Sequence, residues 1–271
     1  MDTKHLLDPD DPTTAREVED GLLESLGPVH FPPKRAEAVK LRLLDRIRAS
    51  REAGKDFIRI RFDEGEWESL VPGVRVKRMQ GDQRAALLEL QPGAAIPFHR
   101  HHEDEECLVL RGRVELCEIS VGPGDYHLAP SGSRHGIVRS AGGALIYLRG
   151  TPIGHPLALA RDMITALLPG EDVVPMTIPR DEGPWAHHAP GVDLKLLREA
   201  GGRRSMLLRL EPGARADLAF GAADDCLQLE GEVSVDEVLL QAGDFGRPAG
   251  AGSQRRVTSA TGGLMFMNCG G

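Results

Sequence analysis

Between Gly93 and Gly112 the chain reads Gly-Ala-Ala-Ile-Pro-Phe-His-Arg-His-His-Glu-Asp-Glu, followed by Glu106-Cys107-Leu108-Val109-Leu110-Arg111. Histidines and carboxylates at this density share one chemistry, the binding of a divalent cation. Successive side chains of a strand alternate between faces, so His99 and His101 point one way and His102 the other. Glu105 follows a short polar turn and can join the two histidines. Glu106 is the competing carboxylate, disfavoured by its opposite strand parity. Downstream, Gly124, Pro130, Gly132 and His135 bring a further histidine. Three neutral imidazole nitrogens and one carboxylate oxygen suit Zn(II), Fe(II), Mn(II) or Ni(II), because geometry decides among these ions. The expectation is one divalent transition metal, zinc foremost.

Cys107 lies two residues beyond Glu105 and should share its face, which brings a thiol close to the cation and would lower its pKa. Its counterpart in the second half of the chain, Cys226, speaks instead for a small buried hydrophobe. Val109, Tyr126, His127 and Ile137 are the other residues expected to line the pocket, although a packed or exposed histidine is the commoner state at a position such as His127.

Such ligands need a rigid frame, and the chain supplies one twice. It repeats itself at an offset of 118 to 120 residues. Asp63-Glu64-Gly65-Glu66-Trp67, Pro72-Gly73, Gln91-Pro92-Gly93-Ala94, Cys107 to Gly112 and Gly122 to Tyr126 are echoed in order. The echoes are Asp181 to Trp185, Pro190-Gly191, Glu211-Pro212-Gly213-Ala214, Cys226 to Gly231 and Ala242 to Phe245. Short apolar runs separated by Gly or Pro turns predict an all-β sandwich or small barrel in each copy. Ahead of the repeat, Thr14 to Glu17 forms a capping box that opens a short helix to Leu26. Pro32-Pro33 opens a longer one, with Val39, Leu43, Leu44 and Ile47 on one face, ending near Gly54. A connecting helix is expected over Ala158 to Leu168. The resulting division is a helical segment 1–55, a first domain 56–155 that holds the metal, and a metal-free second domain 156–271 that includes the connecting helix.

The spacings G-x5-H-x-H-x3-E-x6-G and G-x5-P-x-G-x2-H, both present here, resemble the two motifs of the cupin superfamily. That resemblance implies two tandem cupin barrels, the double-stranded β-helix or jelly roll. It also implies His99, His101, Glu105 and His135 as the metal ligands. In the second copy Leu218 or Ala219, and Phe220 or Gly221, stand at the histidine positions. Asp224 stands at the carboxylate position, and Gln254 or Arg255 at the last histidine, so that barrel should hold no metal. Within the superfamily, His99 to Gly112 with Pro130 to His135, preceded by the helices of Leu22 to Ile47, is similar to the ChrR-like anti-sigma factors. Those proteins clasp a sigma factor through N-terminal helices; their zinc-binding His-x3-Cys-x2-Cys is missing, since no cysteine precedes Cys107.

The resemblance implies a regulatory or sensor protein that binds a sigma factor through its N-terminal helices and takes a small-molecule ligand. A competing enzyme reading is a metal-dependent dioxygenase acting on a diketone or hydroxyaromatic. A third is a structural module that dimerises through the face of Val39, Leu43 and Ile47. A net charge of -8 argues against direct nucleic-acid binding. No apolar run suits a bilayer, and Met1 to Pro12 is polar rather than signal-like. The four cysteines have no zinc-knuckle spacing and are expected to be reduced, in a cytoplasmic protein.

Overall fold

Strands that are apolar along nearly their whole length must be covered on both faces, and Ala85–Leu90 and Ala144–Arg149 are of this kind. The computed structural model describes residues 32–53, 55–79, 84–116, 118–150, 156–168, 173–250 and 252–270. In Ala85–Leu90, the side chains of Ala86, Leu88 and Leu90 fill the interior of a first barrel, while Ala85 and Leu87 face outward into a second apolar layer. Ala144–Arg149 repeats the pattern, with Ala144, Ile146 and Leu148 inside and Leu145 and Tyr147 outside. In the second half Met265 and Met267 point into a second barrel, and Leu264 and Phe266 into the shared layer. The outward faces of the two large sheets thus pack on each other. Tyr147 lies at their seam, 5.8 Å from Phe266 and 6.4 Å from Phe245 between ring centres.

The expected pair of tandem cupin barrels is present, with every strand pair antiparallel. The larger sheet of the first barrel runs, in spatial order, Met176–Ile178, Tyr126–Ala129, Glu105–Gly112, Ala144–Arg149, Ala85–Leu90, Val74–Arg78 and Glu68–Val71. Its partner in the second barrel begins with Phe57–Ile60 and continues through Phe245–Pro248, Asp225–Val235, Gly263–Gly270, Arg203–Leu210, Val192–Ala200 and Ala186–Ala189. The edge strands are therefore exchanged. Phe57 pairs with Pro248 of the second barrel, and Met176 with Leu128 of the first. A division of the chain near residue 155 separates the two copies but not the two sheets.

Buried and half-buried side chains at repeat-related positions lock this exchange. Lys77 donates to the carbonyls of Arg61 and Phe62, and Lys195 donates likewise to Pro179 and Arg180. Asp125 accepts from the Arg180 N–H and Asp244 from the Phe62 N–H, at 2.8 and 2.9 Å. Burial pulls both lysines below their ordinary pKa.

The helix Pro33–Ala53 starts at the second of the two expected prolines and ends one residue before Gly54. The shorter helix expected at Thr14 to Leu26 lies outside the described residues. Two compact units divide the chain after Arg48, and Ala49–Gly271, which holds both barrels, is one of them. The connecting helix is Pro156–Ala166, a shift of two residues toward the N-terminus at each end.

Gly112 shows why the repeat keeps its glycines. Its φ is 74°, and a Cβ there would stand 2.0 Å from the Gly143 carbonyl oxygen. Gly112→Ala is expected to cost about 2–4 kcal/mol of unfolding free energy in denaturant titrations. Gly93 has a φ of 80° with nothing within 4 Å of an added Cβ. Gly93→Ala should lose only about 1–2 kcal/mol, so equal losses would contradict the steric account.

Candidate metal centre

Two short strands carry the ligands expected from the sequence. Arg134–His135 pairs with His99–Arg100 so that His135 lies directly opposite His99, which sets both imidazoles on one face. His101 is pinned beside them, its N–H donating to the Ser133 carbonyl at 3.0 Å and its carbonyl accepting from Gly132 at 2.8 Å. The ring centres of His99, His101 and His135 are 4.9, 4.9 and 5.6 Å apart. An imidazole bound to zinc at about 2.1 Å has its ring centre roughly 3.2 Å from the ion, so cis ligands have centres roughly 4.5–5.2 Å apart. The three rings are grouped close to that spacing. Glu105 Oε1 is 3.8 Å from His101 Nδ1.

Nitrogen chemistry supports the same residues. His99 Nδ1 lies 2.7 Å from the Pro97 carbonyl, which can only accept, so Nδ1 carries the proton and Nε2 keeps its lone pair. His101 Nε2 and His127 Nε2 are buried and have no hydrogen-bond partner among the described residues. A buried polar atom in that state is costly, and a cation or its ligand relieves the cost. The residues therefore fit a divalent metal, although among the described residues no three donor groups close on a common point at ligand distances. Rotation of the rings within the cluster is what binding would require.

Strand parity sorts the remaining candidates. Cys107 pairs with His127 and Glu105 with Ala129 on the interior face, whereas Tyr126 pairs with Leu108 on the outer one. Glu106 faces the seam, where it accepts a hydrogen bond from Tyr126 at 3.0 Å and lies 3.5 Å from Arg198. Tyr126 is thus no part of the pocket, a correction to the sequence expectation. Ile137 is also corrected: it is 44% exposed, between two short strands. Val109 and Cys107 belong to the first barrel's apolar interior. In the metal-free chain, burial, with the Glu105 charge adding to it, pushes the Cys107 thiol up. His127, one of the residues expected to line the pocket, is 3% exposed with its ring 5.0 Å from that of His135.

The connecting helix flanks the ligand strands, a role its sequence did not advertise. The Leu168 carbonyl accepts from Arg100 at 2.8 Å and Arg134 at 2.6 Å. His102, turned away from the cluster as expected, reaches Asp162 at 3.3 Å and Thr165 at 3.1 Å.

The second barrel has none of the three histidines, and its register settles which residues stand in their places. Leu218 pairs with Arg255 as His99 pairs with His135. Leu218, Phe220, Asp224 and Arg255 therefore occupy the positions of His99, His101, Glu105 and His135. Leu218 and Phe220 are core residues there. Arg255 donates to Asp236 at 2.9 Å and to the Asp56 carbonyl at 2.8 Å, stacked over Phe57.

Burial also sets the proton balance of the first site. It pushes His101 and His127 down to about 4 and His135 to about 2, with neighbouring imidazoles adding to the shift, and it lowers His99 as well. It pushes Glu105 up to about 7. In the metal-free chain the unfolded histidines take up protons near 6.5, while the folded ones stay neutral to about 4. Their contribution is full above about 6.5 and lost as the pH falls through that window. Glu105 works the other way, its contribution being full below 4.5 and lost as the pH rises through about 7. Four histidines outweigh one carboxylate. The melting temperature in chelator should therefore rise between about pH 4.5 and 6.5; a flat or falling profile would contradict the burial of neutral imidazoles.

Comparison with known proteins agrees with this architecture. Residues 55–153 match the family model described as the ChrR cupin-like domain. A structure described as a candidate dioxygenase from Nostoc punctiforme PCC 73102 aligns with a TM-score of 0.58 at 16% identity, over 78% of this chain and 81% of that one. Lactobacillus farciminis oxalate decarboxylase, in its formate complex, aligns at 0.55 and 14% identity, over 78% and 85%. A Bacillus subtilis oxalate decarboxylase variant aligns at 0.51 and 17%, over 78% and 76%. At these identities the likeness is one of fold. No curated protein sequence matches the chain, and among the described residues no helix is long and apolar enough to cross a membrane. Residues 55–153 thus resemble the ChrR cupin-like domain, within a chain that has the fold of a bicupin.

Proposed function

We propose that this bicupin holds one divalent metal in its first barrel through His99, His101, Glu105 and His135, and that it acts as a metal-bearing regulatory protein responsive to a small ligand. The observation that carries the metal is the buried histidine cluster with unpartnered ring nitrogens, set against a second barrel where Leu218, Phe220 and Arg255 stand instead. When bound, the ion supplies a Lewis-acidic centre with room for a further ligand. Zinc is the first expectation. A Bacillus subtilis oxalate decarboxylase structure of the same fold concerns Mn(II) centres, which supports a divalent ion without choosing it.

The regulatory half of the proposal rests on the ChrR cupin-like match and on the helix Pro33–Ala53 that precedes it. The partner is a sigma factor, engaged through the N-terminal helices. A dioxygenase reading is favoured by the donor set itself, since three nitrogens and one carboxylate leave positions for O2 and a chelating substrate on a six-coordinate iron. Metal analysis of the purified chain together with oxygen uptake in the presence of diketones or flavonols separates the two. Zinc without turnover supports the regulator, and iron with substrate-dependent oxygen uptake overturns it. Capture of a sigma factor by the full chain, lost on removal of residues 8–54, supports the partner; capture that survives the removal excludes the helices as the clasp.

A further inference from the structure

We infer that His127 is the recognition group for a small anion bound at the metal, and this inference rests on the metal reading above. His127 is 3% exposed and sits on the interior face of Tyr126–Ala129, paired with Cys107. Its ring contacts that of His135, at 5.0 Å, and among the described residues it makes no such contact with His99 or His101. That places it to one side of the three ligand rings rather than among them. Its Nδ1 is 2.8 Å from the hydroxyl of Thr177, which belongs to the exchanged strand Met176–Ile178. Its Nε2 is buried with no partner among the described residues. A threonine hydroxyl can donate to Nδ1, and the neutral ring then carries its proton on the buried, unpartnered Nε2, which is free to donate to a ligand beside the cluster.

Charge identifies the class of occupant. A divalent ion with one carboxylate ligand keeps one positive charge, inside a barrel whose neighbouring interior residues are apolar, Cys107 and Val109 among them. Asp162 acts on the cluster through space but is itself paired with His102 at 3.3 Å and Arg161 at 3.1 Å. A small monovalent anion completes the neutralisation, and an imidazole N–H donating to it adds a charge-assisted hydrogen bond. Thr177, His127 and the ion thus form a relay of orientation: the strand lent across the barrels holds the histidine, and the histidine selects the ligand.

The test is azide binding to the full-length Co(II)-loaded chain, followed by its visible absorption, with metal affinity measured in parallel by chelator competition. His127→Phe should keep its metal affinity within about 3-fold of wild type while azide affinity falls by about 10–100-fold, the loss of one hydrogen bond to a charged group. His127→Gln, which retains an N–H donor, should recover part of that loss, and Thr177→Val should show a smaller loss in the same direction. Unchanged azide affinity in His127→Phe overturns the inference. So does a collapse of metal affinity in that variant, which would make His127 a ligand of the ion itself. A wild-type chain that takes up no metal overturns the metal reading and this inference with it, whereas normal metal uptake with unaffected azide binding overturns this inference alone.

Discussion

The double substitution His99→Ala with His101→Ala is expected to abolish metal binding, leaving essentially no bound ion where the wild-type chain holds one. The two residues supply two of the four proposed donors, and the remaining pair, Glu105 and His135, cannot enclose a cation alone. The second barrel cannot compensate. Its Phe220 and Leu218 are core side chains, and Arg255 brings a positive charge to the position of the last histidine. Asp224, the one carboxylate left there, is 4% exposed and already accepts from the Gly221 and Gly270 N–H groups at 2.6 and 2.7 Å. The fold should survive, because the barrels are built by cores the histidines do not join. Equilibrium dialysis with circular dichroism as the folding control checks both halves. Stoichiometric metal in the double variant would mean the ligand set is wrong.

The second large effect is expected at the seam. Arg149 of the first barrel lies 2.6 Å from Asp225 of the second, with side-chain exposures of 12% and 3%. The pairing is reciprocated by Arg198 of the second barrel, which meets Asp104 and Glu106 of the first. Removing one member of a buried ion pair leaves its partner's charge in a low-dielectric setting, which costs far more than the pair contributes as a whole. Arg149→Met should therefore destabilise the chain by about 3–5 kcal/mol. Adding Asp225→Leu should restore much of that loss, since an apolar pair of similar volume is often tolerated. A single variant within 1 kcal/mol of wild type would show that the seam is held by the packing of Tyr147, Phe245 and Phe266 alone.

These results bear on what could be read from the chain before its fold was known. The repeat was legible because its anchors are glycines with positive φ at tight turns, such as Gly112 and its counterpart Gly231, where an added Cβ would strike a carbonyl at 2.0 and 2.3 Å. The period-two rule placed His99 with His101, and it separated Glu105 from Glu106 and turned His102 away. The same rule, applied to Tyr126, puts it opposite in parity to His127; only one of the two can face inward, and the aromatic bulk went to the seam. Ile137 misled because it lies between the two-residue strands Arg134–His135 and Val138–Arg139, too short for alternation to hold. The strand exchange was illegible. Phe57–Ile60 and Met176–Ile178 have no local feature that names a partner nearly two hundred or fifty residues away, and the buried Lys77, Lys195 and Asp244, with the half-buried Asp125, mark where they dock.

The central claim is a single metal in the first barrel of each chain. Titration of the metal-free, full-length protein with Zn(II) against a chelator of known affinity measures it most directly. The account predicts saturation at one ion per chain, with the ion lost in the His99→Ala, His101→Ala double variant. Saturation at two ions per chain, or no uptake at all, would contradict it.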